Sequence, residues 1–472
     1  MNLSQNELLN DLSNIPGLEK IIVDAQEMGS FIEEPRKRYS TKARAVVFPK
    51  TVMALQNLVK WANLNKTPLI PQGGNTGMVG GQVPLSGTEI IVSLSKINQL
   101  RNIDVEAGHM CVEGGMVLQT AQEIAQENNL LFPLSIASEG SAQIGGVLSS
   151  NAGGVQVLAY GNARQLCMGV EAVLPDGSLF QGLNALKKNN TGYDISNLLV
   201  GAEGTLGFIT AATLKLFPAP ISFETTWINV SSPDIALQLF STLRAGLGTS
   251  LTAFELMPRF GIDIQLRHKM ISADPSPSAS PWYVLAEVSV AKNGAEGTLL
   301  KNLETAFEAG LITDASIASS LQERQNMWQT REQMSQSQSR EGASIKHDVS
   351  VPVSRVPELI ERGNAAAKTI VPGIRPCPFG HLGDGNIHFN FSQPVNADPQ
   401  AFMAGAQKIH DGIYEIVADL GGSISAEHGI GQLKTDLLEQ VKDPVALSAM
   451  RAIKKALDPN NICNPGKVLK QI

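Results

Sequence analysis

Glycine is unevenly spread along this chain, and its clustering limits the fold more than any other feature. Dense groups occur at Gly73–Gly81, Gly140–Gly154 and Gly201–Gly207, and each adjoins a β-like run. Glycine admits left-handed backbone and lets N–H groups converge on an anion, so these stretches predict loops at strand ends. The first, Pro71-Gln-Gly-Gly-Asn-Thr-Gly-Met-Val-Gly-Gly81, follows the short apolar strand Leu69–Ile70. A pyrophosphate is its natural guest. The loop is nevertheless not GxGxxG, no ribose-binding acid stands in the expected context, and no GxxxxGK[ST] occurs, which excludes the Rossmann and P-loop readings. Alone, the loop is equally a surface turn without a ligand. Glu139-Gly-Ser-Ala-Gln-Ile-Gly-Gly-Val-Leu-Ser-Ser-Asn-Ala-Gly-Gly154 and Gly201-Ala-Glu-Gly-Thr-Leu-Gly207 repeat the pattern within the same region.

Around these loops, Ala45–Phe48, Leu69–Ile70, Ile90–Leu94, Met110–Val112, Met168–Leu174 and Phe208–Leu216 predict strands, and Val52–Leu64 and Val117–Glu127 predict helices. Past Pro218-Ala-Pro220 strand and helix alternate: Thr226–Val230 before Pro233–Ala245, Tyr283–Val290 before Gly297–Ala309, and Ile345–Val351 before Val356–Lys368. That alternation predicts a second sheet backed by helices, with Ser272–Pro281 as a surface loop. A chain of 472 residues exceeds what one core serves. Hydrophobic residues at 43%, charged residues at 17% and a mean hydropathy of -0.00 describe a soluble globular protein.

A net charge of -7, with no basic run interleaved with aromatics, argues against a nucleic-acid partner. No segment reaches membrane-spanning length, and the stretch MNLSQNELLNDLSN lacks a signal pattern. Cys111, Cys167, Cys377 and Cys463 are far apart without a CxxC pair, which fits a reducing cytoplasm, with peripheral membrane attachment left open.

The chemistry-bearing residues come late. Phe379-Gly-His-Leu-Gly-Asp-Gly-Asn-Ile-His-Phe-Asn-Phe391 places two of seven histidines seven positions apart. Ile387, Phe389 and Phe391 alternate as a core face, so His388, Asn390 and Asn386 point the other way. His381 sits just before, on a predicted glycine turn. After a strong helix ending at Gly421, Gly421-Gly-Ser-Ile-Ser-Ala-Glu-His-Gly-Ile-Gly431 offers Glu427 beside His428. Neighbours on extended backbone point apart, so Glu427 can join His381 and His388 around a metal while His428 faces elsewhere. His109, His268, His347 and His410, taken singly, read as structural. Two imidazoles and a carboxylate suit zinc, with manganese or cobalt as alternatives. Trp328–Ser335 predicts one helix with Arg331 and Ser335 four apart on a shared face, and Lys346 opens the next strand. Most Arg and Lys are solvated surface charge, and spacing alone does not lift this pair above that.

In their order, the three loops and the two later motifs resemble the FAD-linked D-2-hydroxy acid dehydrogenases of the vanillyl-alcohol oxidase superfamily, almost end to end. The fold implied is α+β: a two-subdomain FAD-binding domain over residues 1–220, an antiparallel-sheet substrate (cap) domain with flanking helices over 221–425, and a segment 426–472 returning to the FAD domain. By resemblance Gly73, Gly74, Asn75, Thr76 and Gly77 wrap the FAD diphosphate. Ser138, Gly140, Gly145, Gly146 and Asn151 line the isoalloxazine and its linker, Ile209 completes the adenine and ribitol side, and Pro71, Gly204 and Asn464 join the cofactor set. Members that attach FAD covalently carry His where this chain has Asn75, so noncovalent FAD is implied. The motifs HxGDGNxH and EHGxG match residue for residue, implying a divalent metal on His381, His388 and Glu427, and His428 as catalytic base and substrate contact.

The resemblance further assigns Arg331, Ser335, Lys346 and Asn390 to a small anionic 2-hydroxy acid, D-2-hydroxyglutarate first, with D-lactate, D-malate or glycolate as alternatives. Relatives acting on D-2-hydroxyglutarate commonly carry Thr where this chain has Ser335. The implied reaction passes a hydride to flavin N5, and an external acceptor, an electron-transfer flavoprotein or a quinone, takes the electrons onward. A homodimer is the default assembly. A metal-dependent hydrolase would leave the glycine loops unexplained, and a noncatalytic flavin-binding subunit would have lost the base or the ligands.

Overall fold

The computed structural model describes residues 4–34, 36–39, 41–291 and 297–470; Met1–Leu3, the head of the N-terminal stretch, lie outside them. The chain forms two compact units. Unit 1 comprises residues 1–154, 161–219 and 427–472, and unit 2 comprises 155–160 and 220–426.

Unit 1 holds two principal sheets, one per subdomain. In the first, the strands run in the order Leu18–Ile22, Ala45–Pro49, Ile90–Ser93, Leu69–Gln72. The last three are parallel, and Leu18–Ile22 closes one edge antiparallel. Ile90–Ser93 enters between the two strands joined by the helix Val52–Asn65, so the opening β-α-β unit is split by a later strand. That helix starts where the Thr51 hydroxyl accepts from Ala54 N–H at 3.1 Å, and it ends at Lys66 in left-handed conformation. Leu55, Leu58, Val59 and Ala62, one helical face, pack on Ala45, Val47, Ile90 and Val92 with Ile462 and Cys463 from the far end of the chain. The second sheet is antiparallel, in the order Leu100–Asp104, His109–Glu113, Phe208–Lys215, Cys167–Val173, Leu179–Gln181.

Unit 2 is built on an eight-stranded sheet whose pairings are all antiparallel. Its order is Asp314–Ile317, Ser222–Val230, Trp282–Val290, Leu251–Pro258, Arg375–His381, Asn386–Ser392, Ser344–Ile345, with Asp348–Ser350 also on Asn386–Ser392. Alternation sorts its residues sharply. Phe254, Leu256, Val284, Ala286, Ile387, Phe389 and Phe391 face a core closed by the helices Pro233–Leu247, Thr298–Glu308, Val356–Ile370 and Ala406–Asp419. The intervening residues point the other way and mix apolar Trp227, Tyr283, Met257 and Phe379 with Glu255, Glu287, His381, His388 and Asn390. Thus one face of the sheet supplies stability and the other carries nearly all the buried charge.

Three local expectations give way. Trp328–Ser335 is not one helix: Leu321–Glu332 ends and Met334–Gln338 begins at Gln333, so Arg331 and Ser335 lie on separate helices. Ile345–Val351 is two short strands, with His347 exchanging backbone hydrogen bonds with Phe389 between them. His381 is the last residue of a strand rather than part of a turn, because the left-handed residue that reverses the chain is Gly385.

Candidate active site

Strand register assembles the polar face of unit 2. Glu255 and His381 are direct antiparallel partners, and so are Asp348 and His388. His381 and His388 lie on adjacent strands with ring centroids 5.5 Å apart. Further along, Ser350 and Ser423 exchange backbone hydrogen bonds of 2.7 and 3.1 Å, and Ala426 N–H donates to Asp348 O at 3.4 Å. Gly422 allows that approach, since a Cβ there would stand 2.3 Å from Ser350 O. Glu427 follows Ala426 directly, so the strand that positions His388 also sets where this carboxylate begins. One donor atom from each of His381, His388 and Glu427 lies within 4.8 Å of the other two. The set is chemically apt for a divalent cation.

Glu255 went unrecognised in the sequence. It is 1% exposed; its Oε1 is 2.7 Å from His381 Nδ1, and its Oε2 accepts from Arg331 Nε at 2.7 Å. Burial alone would raise this carboxyl, but His381 and Arg331 outweigh it and hold it at about 2. The Arg331 guanidinium also sits 5.0 Å over the Phe379 ring. A signal existed: a lone carboxylate in the apolar run Leu251–Pro258 must be paired if that run is buried. Asp384, nearby in sequence, is pushed up to about 6 by burial, with His381 and the Asn386 N–H giving only partial relief.

Lys346 and Ser335 meet directly, the ammonium donating to Ser335 O at 2.9 Å and to Oγ at 2.8 Å. Asn390 is 2% exposed; its Nδ2 donates to Gln338 Oε1, while its Oδ1 is buried without a hydrogen-bond partner among the described residues. Asn386 donates to Asp348 Oδ1 and Val349 O. Arg331 is thereby joined to His381, and Ser335 to Lys346, as two separate groups.

In unit 1 the glycine loops converge on one another. A Cβ on Gly74 would meet Ser141 O at 1.8 Å, and one on Gly204 would meet Pro71 Cγ at 2.3 Å, so loop one packs against both others. Asn464 binds across the set, its Nδ2 donating to Gly81 O at 2.9 Å and Glu203 O at 2.8 Å. Asn75, Asn151 and Asn464 all have positive φ. Asn75 Nδ2 donates to Ser30 O and Glu33 O, and Asn151 Oδ1 accepts from Arg164 N–H. Ser138 O accepts two N–H groups at the turn through Gly140, and Gly145 N–H donates to Gly114 O with Ile209 O close by. Thr76 is half-buried and Gly77 exposed.

These loops fit an extended polar cofactor on two observations: a Cβ on Gly146 would meet open space, and the side-chain oxygens of Asn75, Gln143 and Asn464 are buried without hydrogen-bond partners among the described residues. Half-buried His428 precedes Gly429 at positive φ, and the next two N–H groups, of Ile430 and Gly431, each donate to Glu203 at 2.7 Å. Burial pushes the Glu203 carboxyl up, and these N–H groups bring it partly back.

This is the fold of flavin-dependent oxidoreductases of the vanillyl-alcohol oxidase type. A solved p-cresol methylhydroxylase superposes with a TM-score of 0.76 over 99% of this chain and 98% of its own, at 16% identity. Residues 43–182 match the FAD binding domain family and residues 220–468 the C-terminal domain of FAD linked oxidases. The chain belongs to the FAD-linked oxidase family, among its D-2-hydroxy acid dehydrogenases. It is 33% identical over 461 residues to a D-2-hydroxyglutarate dehydrogenase of Stutzerimonas stutzeri, covering 98% of both chains. It is 34% identical to the mitochondrial D-2-hydroxyglutarate dehydrogenase of Bos taurus, covering 96% of this chain and 82% of that one. Among the described residues no helix is long and apolar enough to cross a membrane.

Proposed function

We propose that this chain oxidises D-2-hydroxyglutarate to 2-oxoglutarate, with His381, His388 and Glu427 holding a divalent metal, zinc before manganese or cobalt. The observation that carries this reading is the convergence of those three donors with Arg331, which Glu255 ties to His381. Bound FAD supplies the hydride acceptor at N5, and a bound cation supplies Lewis acidity at the 2-hydroxyl. Arg331 grips one carboxylate through its two Nη groups, because its Nε is already committed to Glu255. Lys346, steered by Ser335, is the cation for the second carboxylate, and Asn390, two residues along the strand from His388, completes the substrate contacts. His428 accepts the hydroxyl proton as the C2–O bond gains double-bond character and the C2 hydrogen leaves with its electron pair.

FAD is held noncovalently, Asn75 offering no nucleophile for attachment. An external acceptor, an electron-transfer flavoprotein or a quinone, takes the electrons onward. A cytoplasmic location completes the reading, supported by four free cysteines. The purified yellow protein should bleach under anaerobic conditions with D-2-hydroxyglutarate faster than with D-lactate, D-malate or glycolate, and chelation should abolish the bleaching. A faster rate with a monocarboxylate would remove Lys346 from its assigned role. Bleaching that survives complete metal removal would refute the metal assignment.

A further inference from the structure

We infer that Glu255 is a positioning residue that couples the metal site to the anion clamp. The inference rests on reading His381 as a ligand and Arg331 as a substrate contact, and it adds that neither is set independently of the other. One buried carboxylate serves both, one oxygen to each, at 2.7 Å. A carboxylate only accepts, so His381 Nδ1 must carry the proton, and in the neutral ring Nε2 then keeps the lone pair for a cation. On the other side, fixing Arg331 Nε and laying the guanidinium over Phe379 leaves the two Nη groups as the edge presented to an anion. Cross-strand pairing of Glu255 with His381 makes the arrangement a property of the sheet rather than of a loop. Moving Glu255 therefore turns the imidazole and the guanidinium together.

Substitution exposes the coupling. In Glu255→Gln the amide has one acceptor and one donor group, so it satisfies either His381 Nδ1–H or Arg331 Nε–H and opposes the other. Glu255→Asp keeps both acceptors but withdraws them by one methylene.

The test uses full-length flavoprotein, stripped of metal and titrated with Zn2+ and with Co2+, alongside steady-state kinetics. E255Q should weaken Zn2+ binding about 10–100-fold, raise KM for the hydroxy acid, and change the visible d–d spectrum at saturating Co2+. E255D should recover part of each. Flavin content and unfolding temperature identify misfolded protein; if E255Q loses its flavin, E255D alone decides by the same three readouts. Zn2+ affinity within twofold of wild type with an unchanged Co2+ spectrum would overturn the inference, as would E255D being no better than E255Q. Metal affinity is read without turnover, so the role of Glu255 stands or falls whichever hydroxy acid proves to be the substrate. A wild-type protein that binds none of these cations overturns the inference together with the metal assignment, while flavin bleaching still tests the dehydrogenase reading.

Discussion

The candidate cofactor surface, in unit 1, is made of backbone, whereas the candidate catalytic residues act through side chains, most of them on the unit 2 sheet. Gly74, Gly146 and Gly204 matter for the atom they lack; Asn75, Asn151 and Asn464 matter for the left-handed backbone they adopt. Glu255, His381, Asp348 and His388 matter for the atoms they carry, and a strand register shift of one would send each to the opposite face. One surface should fail when an atom is added, the other when an atom is removed.

The largest effect belongs to removal. His428→Ala should lower the anaerobic bleaching rate about 10²–10⁴-fold while the protein stays yellow; a rate within twofold of wild type would dismiss it as the base. Addition comes next. Gly74→Ala, whose Cβ would meet Ser141 O at 1.8 Å, should part the first two loops and give colourless protein after reconstitution with FAD. Gly146→Ala sharpens the contrast, because its Cβ meets nothing within 4 Å and alanine favours the helix by up to about 1 kcal/mol. It should fold at least as stably as wild type yet hold flavin less tightly. Undiminished flavin affinity would show that the open space there is not cofactor surface.

Ser335→Ala removes the hydroxyl acceptor of Lys346 and leaves the backbone carbonyl of the same residue in place. At about 0.5–1.5 kcal/mol for a hydrogen bond, KM should rise a few-fold with kcat nearly unchanged, and a pure kcat effect would contradict the assignment. The last effect, on stability rather than on rate, lies in unit 1. Burial lowers Lys467 from 10.5 to about 7, with only partial relief from Glu89 and Glu203. Between those values the unfolded chain binds a proton that the folded chain does not, so stability rises with pH across that window. Lys467→Met should flatten that rise in unfolding temperature between pH 7 and 10.5; an unaltered slope would assign it to other groups.

The same contrast explains what the sequence disclosed. Backbone-built loops announce themselves through glycine, and the periodicity of Val52–Asn65 or Asn386–Ser392 is local, so those elements were legible. The strand Leu251–Pro258 was not: it is buried throughout, without the alternation that distinguishes a half-buried strand from a helix segment. Glu255 was hidden with it, since its importance lies in a partner 126 positions away. Leu100–Asp104 escaped for the opposite reason, being almost wholly exposed. The break at Gln333 has no proline or glycine to mark it. Asn464 was singled out by resemblance, but its grip on Gly81 and Glu203 depends on a chain reversal that no local pattern encodes.

That grip bears on how the molecule is made. Leu69 N–H donates to Ile462 O, and Leu69 O accepts from Asn464 N–H. The first sheet is thus translated long before its completing edge, and all of residues 220–426 emerge from the ribosome in between. Unit 2 can therefore finish its sheet while unit 1 is still missing a partner, which reverses the order in which the two began. A nascent chain stalled after Ala426 should protect the amides of Leu251–Pro258 from hydrogen exchange and leave that of Leu69 open.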